Sequence, residues 1–441
     1  MVGAAAVGWT TRDFWRVPRR LWLPALLIVV LIAIGLLQLV PLPASWWRAA
    51  GSERYARFEE GAKAEALLHS DAYRADPFGP QKAPPQENWT PLTPKQPSWI
   101  AASFTPAATG RALLVLAAAL CLILLLERLA EEGKGRLRRL GWVAGTMGLL
   151  VALVALVEYQ DKAREVLLWL RATPRAAGAF GPFVNPNHGE AFVNVALPLL
   201  YYLIWRVSCS QKKRADRAGM RVVALALLIL HVTVLAVSHS RGAFLALGLY
   251  PLAWIARKSG APRHNLRRAL AAGYLALLIA VMAFGFWTGL ATDHGRVAMD
   301  LSVPRSNFFL GHGLNSFEER FPAEVNDLPI TGGPCRNTHL ENEYLQLFFE
   351  GGLLPALLGL AMGAAIIYLA FRLALEGRAA FWLAPALAGE TLHASVDFTG
   401  HVFPIVGTVL LACILGMVAL EGNGDCAPLR GRSSRKPLEA V

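Results

Sequence analysis

Four short polar runs interrupt an otherwise strongly apolar chain, and their residue types suit phosphate, hydroxyl and proton chemistry. The first is Gly181-Pro182-Phe183-Val184-Asn185-Pro186-Asn187-His188. Gly-Pro and Asn-Pro form turns. Asn185, Asn187 and His188 can bind sugar hydroxyls or phosphate, and the same run suits a helix start in which Asn187 or His188 is the cap. The second is Ser238-His239-Ser240-Arg241-Gly242-Ala243. A guanidinium presents a fork of donors matched to phosphate oxygens, while an arginine at a membrane boundary also serves as a snorkelling anchor.

The third run starts at Arg296 and passes through Arg305, Gly311-His312-Gly313, Phe317 and Arg336 to His339-Leu340-Glu341-Asn342-Glu343-Tyr344-Leu345-Gln346. Its imidazole and carboxylates are general-base material. A polar first turn, in which carboxylates suit the helix dipole, accounts for one glutamate. It leaves His339, Glu341, Asn342 and Glu343 together to be explained. The fourth run is His393-Ala394-Ser395-Val396-Asp397-Phe398, followed by His401. Ionisable residues at a membrane boundary are costly and mark functional sites, and a His393–Asp397 pair also suits the holding of a hairpin. His231 and Glu350 lie inside apolar runs and read as packing polar groups.

The elements that must position these residues are membrane helices. The 441 residues are 55% hydrophobic and 17% charged, with a mean hydropathy of +0.41. A soluble domain carries about 25% charged and about 45–50% apolar residues. The balance excludes disorder. Cys121, Cys209, Cys335, Cys413 and Cys426 are scattered without a C-x-x-C pair, which excludes a disulfide framework and argues against a cysteine metal site. Ten runs read as spans: Leu21–Val40, Arg111–Leu126, Leu140–Val157, Ala191–Trp205, Val222–Val237, Gly242–Ile255, Ala269–Leu290, Tyr344–Phe371, Ala380–Val396 and Val402–Leu420. The expected fold is an all-α integral membrane bundle of about ten helices, with ten to twelve as the range, and large periplasmic loops.

Charge orients the bundle. With the N-terminal segment in the cytoplasm, the cytoplasmic segments hold 26 of the 43 Lys and Arg residues. That is nearly threefold more per residue than outside, so the net charge of +12 reads as membrane orientation rather than nucleic-acid binding. Both termini are then cytoplasmic, and all four polar runs lie at outer helix ends or outer loops, where they can build one site. The first span lacks a small-residue cleavage site and reads as an uncleaved anchor. The expected organisation is an anchor and proline-rich periplasmic loop over 1–110, a multi-span unit over 111–420 with a periplasmic loop over 291–343, and a basic cytoplasmic tail over 421–441.

In order, the stretches GPFVNPNH, SHSRGAFLAL, GHGLNSF with HLENEYLQLFFEGGLL, and HASVDF resemble the O-antigen ligase and O-antigen polymerase family of bacterial membrane glycosyltransferases, over roughly residues 105–420. The resemblance implies an inverting enzyme in the bacterial inner membrane. It implies an undecaprenyl-diphosphate-linked glycan as donor, a glycan or lipid A core hydroxyl as acceptor at the periplasmic face, and no metal or other cofactor. It also implies that Arg241 and Arg296 hold the diphosphate, with Asn185, Asn187, His188, Asn342, His393 and Asp397 as further substrate-binding candidates. The family's catalytic histidine is followed by Asn, Ser or Gln, with a glycine ten residues further on. Counted back from Gly352, that register places Glu341 there, with Asn342 after it and His339 two residues earlier, so Glu341 and His339 both stand as the base. The stretch from Arg296 to Gly311 is also a few residues short of the family's pattern.

Two other classes compete. A lipid-linked-glycan flippase would place ionisable residues near the midplane and show repeated halves, whereas these gather at one face and no repeat is visible. A non-catalytic scaffold for envelope assembly would keep its function after loss of both Arg241 and Glu341.

Overall fold

The computed structural model describes residues 19–49, 99–103, 105–160, 180–183, 185–210, 214–238, 248–250, 276, 308–317, 342–376, 379–395, 397 and 399–421. The helices are α1 (Trp22–Leu39), α2 (Ala44–Ala49), α3 (Pro106–Glu132), α4 (Lys134–Gln160), α5 (Pro186–Ser210), α6 (Arg214–Ser238), α7 (Glu343–Gly351), α8 (Leu353–Glu376), α9 (Leu383–His393) and α10 (Phe403–Glu421). A two-stranded antiparallel ribbon pairs β1 (Pro41–Pro43) with β2 (Trp99–Ala101). Among the described residues, α1, α3, α4, α5, α6, α8 and α10 are long and apolar enough to cross a membrane, and the chain is an all-α, multi-pass membrane protein.

The bundle is built around α5. It is the least apolar of the seven long helices, yet 78% of its spanning window is buried, against 22–33% for α1, α3, α4, α6 and α8. A helix surrounded by protein needs no lipid-compatible surface, so α5 can carry Glu190, Asn194, Tyr201 and Tyr202 inward. The outer helices do the reverse. Leu114 and Val115 on α3, Leu225 and Ile229 on α6, and Leu354 and Leu357 on α8 are exposed. An apolar mantle of this kind fits a lipid solvent, in which interior and exterior are both apolar.

Close helix approach depends on small residues. A Cβ added to Gly148 of α4 would lie 2.5 Å from Ala196 Cβ, and one on Gly145 would lie 2.9 Å from Leu200 Cβ. The two glycines let the backbones of α4 and α5 meet, the small-residue packing typical of membrane helices.

Polar contacts mark the two ends of the bundle. At one end, Glu127 Oε1 at the end of α3 accepts the backbone N–H groups of Arg19 and Arg20, both at 3.0 Å, and so anchors the segment that leads into α1. The Arg20 side chain reaches Glu127 at 3.4 Å and Glu421 of α10 at 2.8 Å. The polar runs gather at the other end.

Two spans differ from the sequence reading. The run Tyr344–Phe371 is two helices, broken at Gly352 between α7 and α8. The run Ala380–Val396 is a 3-10 turn, Ala380–Trp382, leading into the eleven residues of α9. Every residue of α9 is buried, so its short length exposes no backbone to lipid. Helix α5 begins at Pro186 rather than Ala191, because Pro suits the first helical position. Apart from residues 248–250 and 276, the spans Gly242–Ile255 and Ala269–Leu290 lie outside the described residues, as do most of the loops 41–110 and 291–343 and the tail after 421.

Candidate functional site

The polar end is assembled from three of the four runs. The first arrives on a fixed turn. Gly181 N–H donates to the buried Glu158 carboxylate of α4 at 2.5 Å, and Phe180 and Phe183 pair across the turn through backbone bonds. Asn185 then caps α5, its Oδ1 accepting from Asn187 N–H at 3.0 Å. The cap is therefore Asn185, not Asn187 or His188, and His188 projects from the first turn with another partner. Its Nε2 lies 3.7 Å from Asp397 Oδ1, and Asn185 Nδ2 is 3.4 Å from the same nitrogen.

Asp397 sits in the turn between α9 and α10 and joins two histidines. Its Oδ2 is 3.3 Å from His393 Nε2, one turn back at the end of α9. Side-chain exposure falls along the row, from 12% at His188 to 4% at Asp397 and 3% at His393. A carboxylate between two imidazoles orients both rings. Among the described residues, no group of three or more His, Cys, Asp and Glu side chains is arranged to hold a metal ion.

The third run contributes the start of α7 and the Gly311-His312-Gly313 loop. Asn342 is the α7 cap, its Oδ1 accepting from Tyr344 N–H at 3.0 Å and Leu345 N–H at 3.1 Å. Its Nδ2 donates to Ser395 O at 2.7 Å, and Glu343 N–H donates to Ala394 O at 3.0 Å. These bonds stitch the third run to the fourth, and they engage both ends of the Asn342 amide within the protein.

Glu343 extends the seam to His401, whose Nδ1 lies 3.0 Å from Glu343 Oε2 and whose N–H donates to Oε1 at 3.1 Å. Burial pulls the His401 pKa down, but the Glu343 carboxylate, by charge and hydrogen bond, and the charge of Glu350 outweigh it. The imidazole rises from its ordinary 6.5 to about 9. A histidine with a raised folded pKa stabilises fully below its unfolded value, and that contribution is lost as pH rises through the folded one. The melting temperature of the wild type should therefore fall between pH 6.5 and 9 by an increment that Glu343→Gln removes. Melting curves of both proteins in one detergent across that interval check this.

The loop of residues 308–317 docks on the break between α7 and α8. His312 N–H and Gly313 N–H donate to Phe349 O and Glu350 O at 2.9 and 3.1 Å, and the His312 ring stacks on Phe349 at 4.4 Å. Gln38, buried near the end of α1, completes the joint. Its amide donates to Leu310 O at 2.5 Å and Glu350 O at 2.8 Å, and accepts from Leu314 N–H at 3.0 Å. The Glu350 carboxylate accepts from Asn315 N–H at 2.7 Å and from Gln346 Nε2 at 3.0 Å. Glu350 is thus a satisfied structural polar group. Inside the bundle, His231 Nδ1 lies 2.5 Å from the Tyr201 hydroxyl, while its Nε2 has no hydrogen-bond partner among the described residues.

Of the ten residues singled out as catalytic or substrate-binding, Asn185, Asn187, His188, Asn342, His393 and Asp397 lie at this one end. Arg241, Arg296, His339 and Glu341 lie outside the described residues. Glu190, Glu390 and Gln38 belong to the cluster and its supports but were not singled out. Gln38 and Glu390 carry no more sequence signal than a lone amide or carboxylate in an apolar run, and Glu190 follows His188 by two residues at the edge of the first run. Compared with protein-family models the chain matches none, and comparison with curated proteins gives no significant match.

Proposed function

We propose that this chain is a membrane glycosyltransferase of the O-antigen ligase or polymerase kind, which passes a glycan from undecaprenyl diphosphate to an acceptor hydroxyl. The observation that carries the reading is the meeting of polar runs from distant parts of the sequence at one end of the bundle. In the full reading about ten helices lie in a bacterial inner membrane, with both termini cytoplasmic and this end periplasmic.

The chemistry follows from the residues. A polyprenyl diphosphate is an activated leaving group, and cleavage of the sugar–phosphate bond develops negative charge on it. Arg241 and Arg296 would stabilise that charge, each donor contributing about 3–4 kcal/mol. The acceptor hydroxyl loses its proton as it attacks, and a base in hydrogen-bond reach gives about 10²–10⁴-fold. Glu341 and His339 are the two bases in the right stretch of chain, and single displacement inverts the anomeric centre. Glu341→Gln should cost more activity than His339→Gln in the same transfer assay, and the reverse order hands the role to His339.

The reading is tested by surface and lipid-linked glycans from a strain lacking the gene, beside wild type and an Arg241→Ala complement. Surface glycan reduced to single repeat units identifies a polymerase. Full-length chains held on the carrier, with bare acceptor outside, identify a ligase. Unchanged glycans in the deletion strain refute both.

A further inference from the structure

Glu390 has no place in the mechanism above, yet it is the one carboxylate of α9 and is buried. It is 5% exposed, and its Oε2 has no hydrogen-bond partner among the described residues. One turn later, His393 is 2% exposed, and its Nδ1 also lacks a hydrogen-bond partner among the described residues. Residues three apart on a helix are neighbours. Beyond His393 the row continues to Asp397 at 3.3 Å and from Asp397 to His188 at 3.7 Å. The titratable groups facing Glu390 are His393 on its own helix, Asp397 in the following turn, His188 on α5 and Tyr344 on α7. Glu190 of α5 faces His393.

Packing alone does not account for this row. A buried polar atom left without a hydrogen bond costs about 1–3 kcal/mol, and an apolar side chain at position 390 would remove that cost. Rows of buried Asp, Glu and His in membrane proteins mark proton paths. We propose that Glu390, His393, Asp397 and His188 form a proton path whose inner terminus is Glu390 and whose mouth is His188.

Each transfer breaks one bond to hydrogen and makes one. Through an intervening water, the O–H bond of the Glu390 carboxyl breaks as an O–H bond forms to the water, whose own O–H bond breaks as an N–H bond forms at His393 Nδ1. The proton on His393 Nε2 passes to Asp397, and the proton on Asp397 passes to His188. Reversal of the sequence draws a proton inward from the mouth. The path needs no glycan. Under the proposed function it carries away the proton that Glu341 or His339 takes from the acceptor hydroxyl, and that link alone rests on the glycosyltransferase reading.

Full-length protein in lipid nanodiscs tests the path by pH-difference infrared spectroscopy, with Glu390→Gln, Asp397→Asn and His393→Gln as near-isosteric variants. Glu390→Gln should remove one titrating carboxyl band. His393→Gln and Asp397→Asn should each move the midpoint of that band by at least tenfold in proton concentration. A difference spectrum unchanged by Glu390→Gln, or a midpoint unmoved by both other variants, overturns the path. A second readout uses glycan transfer: Glu390→Gln should lower kcat about tenfold or more at constant KM and flatten its pH profile. Wild type inactive in transfer but with the infrared band intact would refute the glycosyltransferase reading and leave the path standing. Active protein without the band would do the opposite.

Discussion

Arg241→Ala is expected to lower glycan transfer by about 10²–10³-fold while leaving the melting temperature of the purified protein unchanged. The size follows from where charge develops. The leaving diphosphate gains a negative charge in the transition state, and a fixed guanidinium aimed at it acts far more strongly in a water-poor site than in water. In the proposed orientation Arg241 is the single basic residue of a short outer segment, where the orientation bias disfavours basic residues. Arg241→Lys should recover only part of the loss, because an ammonium keeps the charge but not the two-pronged geometry. Single-turnover kinetics with a saturating lipid-linked donor measures this directly. Full activity in Arg241→Ala removes the residue from the mechanism.

Gly352→Val should be the most destabilising of the single changes considered, at about 2–5 kcal/mol. Two costs act together. Gly352 has φ +84°, in the left-handed region that a β-branched residue rarely adopts. A Cβ there would also drive into the backbone carbonyl of Phe309. The loop has the reciprocal need: Gly311 has φ +66°, and its added Cβ would meet the backbone of Glu350 and Gly351. The two glycines let two stretches of backbone lie against each other, and Gln38 locks them in place. Gly110→Ala in α3 is the control, since a Cβ there meets nothing within 4 Å and alanine favours a helix. Thermal unfolding of the three proteins in one detergent should rank Gly110→Ala at or above wild type and Gly352→Val far below both.

The long helices were legible because lipid imposes a simple rule: about 20 apolar residues in a row, with basic residues at one side. The runs beginning near Leu21, Arg111, Leu140, Ala191, Val222 and Val402 became α1, α3, α4, α5, α6 and α10. The break at Gly352 was not legible, because its cause is the approach of Phe309, more than forty residues earlier. The polar runs were legible as unusual residues at helix ends, but not their division of labour. Asn185 and Asn342 became caps that hold α5 and α7, while His188, His393 and Asp397 face one another. Cap and ligand use the same residue types, so only position separates them. Glu390 and Gln38 stayed hidden, since their importance lies wholly in what packs around them.

The most direct measurement places the purified protein in proteoliposomes with a synthetic undecaprenyl-diphosphate-linked glycan and an acceptor sugar. The product and the anomeric configuration of the new bond are then read by mass spectrometry and NMR. The account predicts a glycosylated acceptor with inverted configuration and release of undecaprenyl diphosphate, both lost in Arg241→Ala. Intact donor carried across the vesicle membrane without any new glycosidic bond would contradict it and make the protein a transporter.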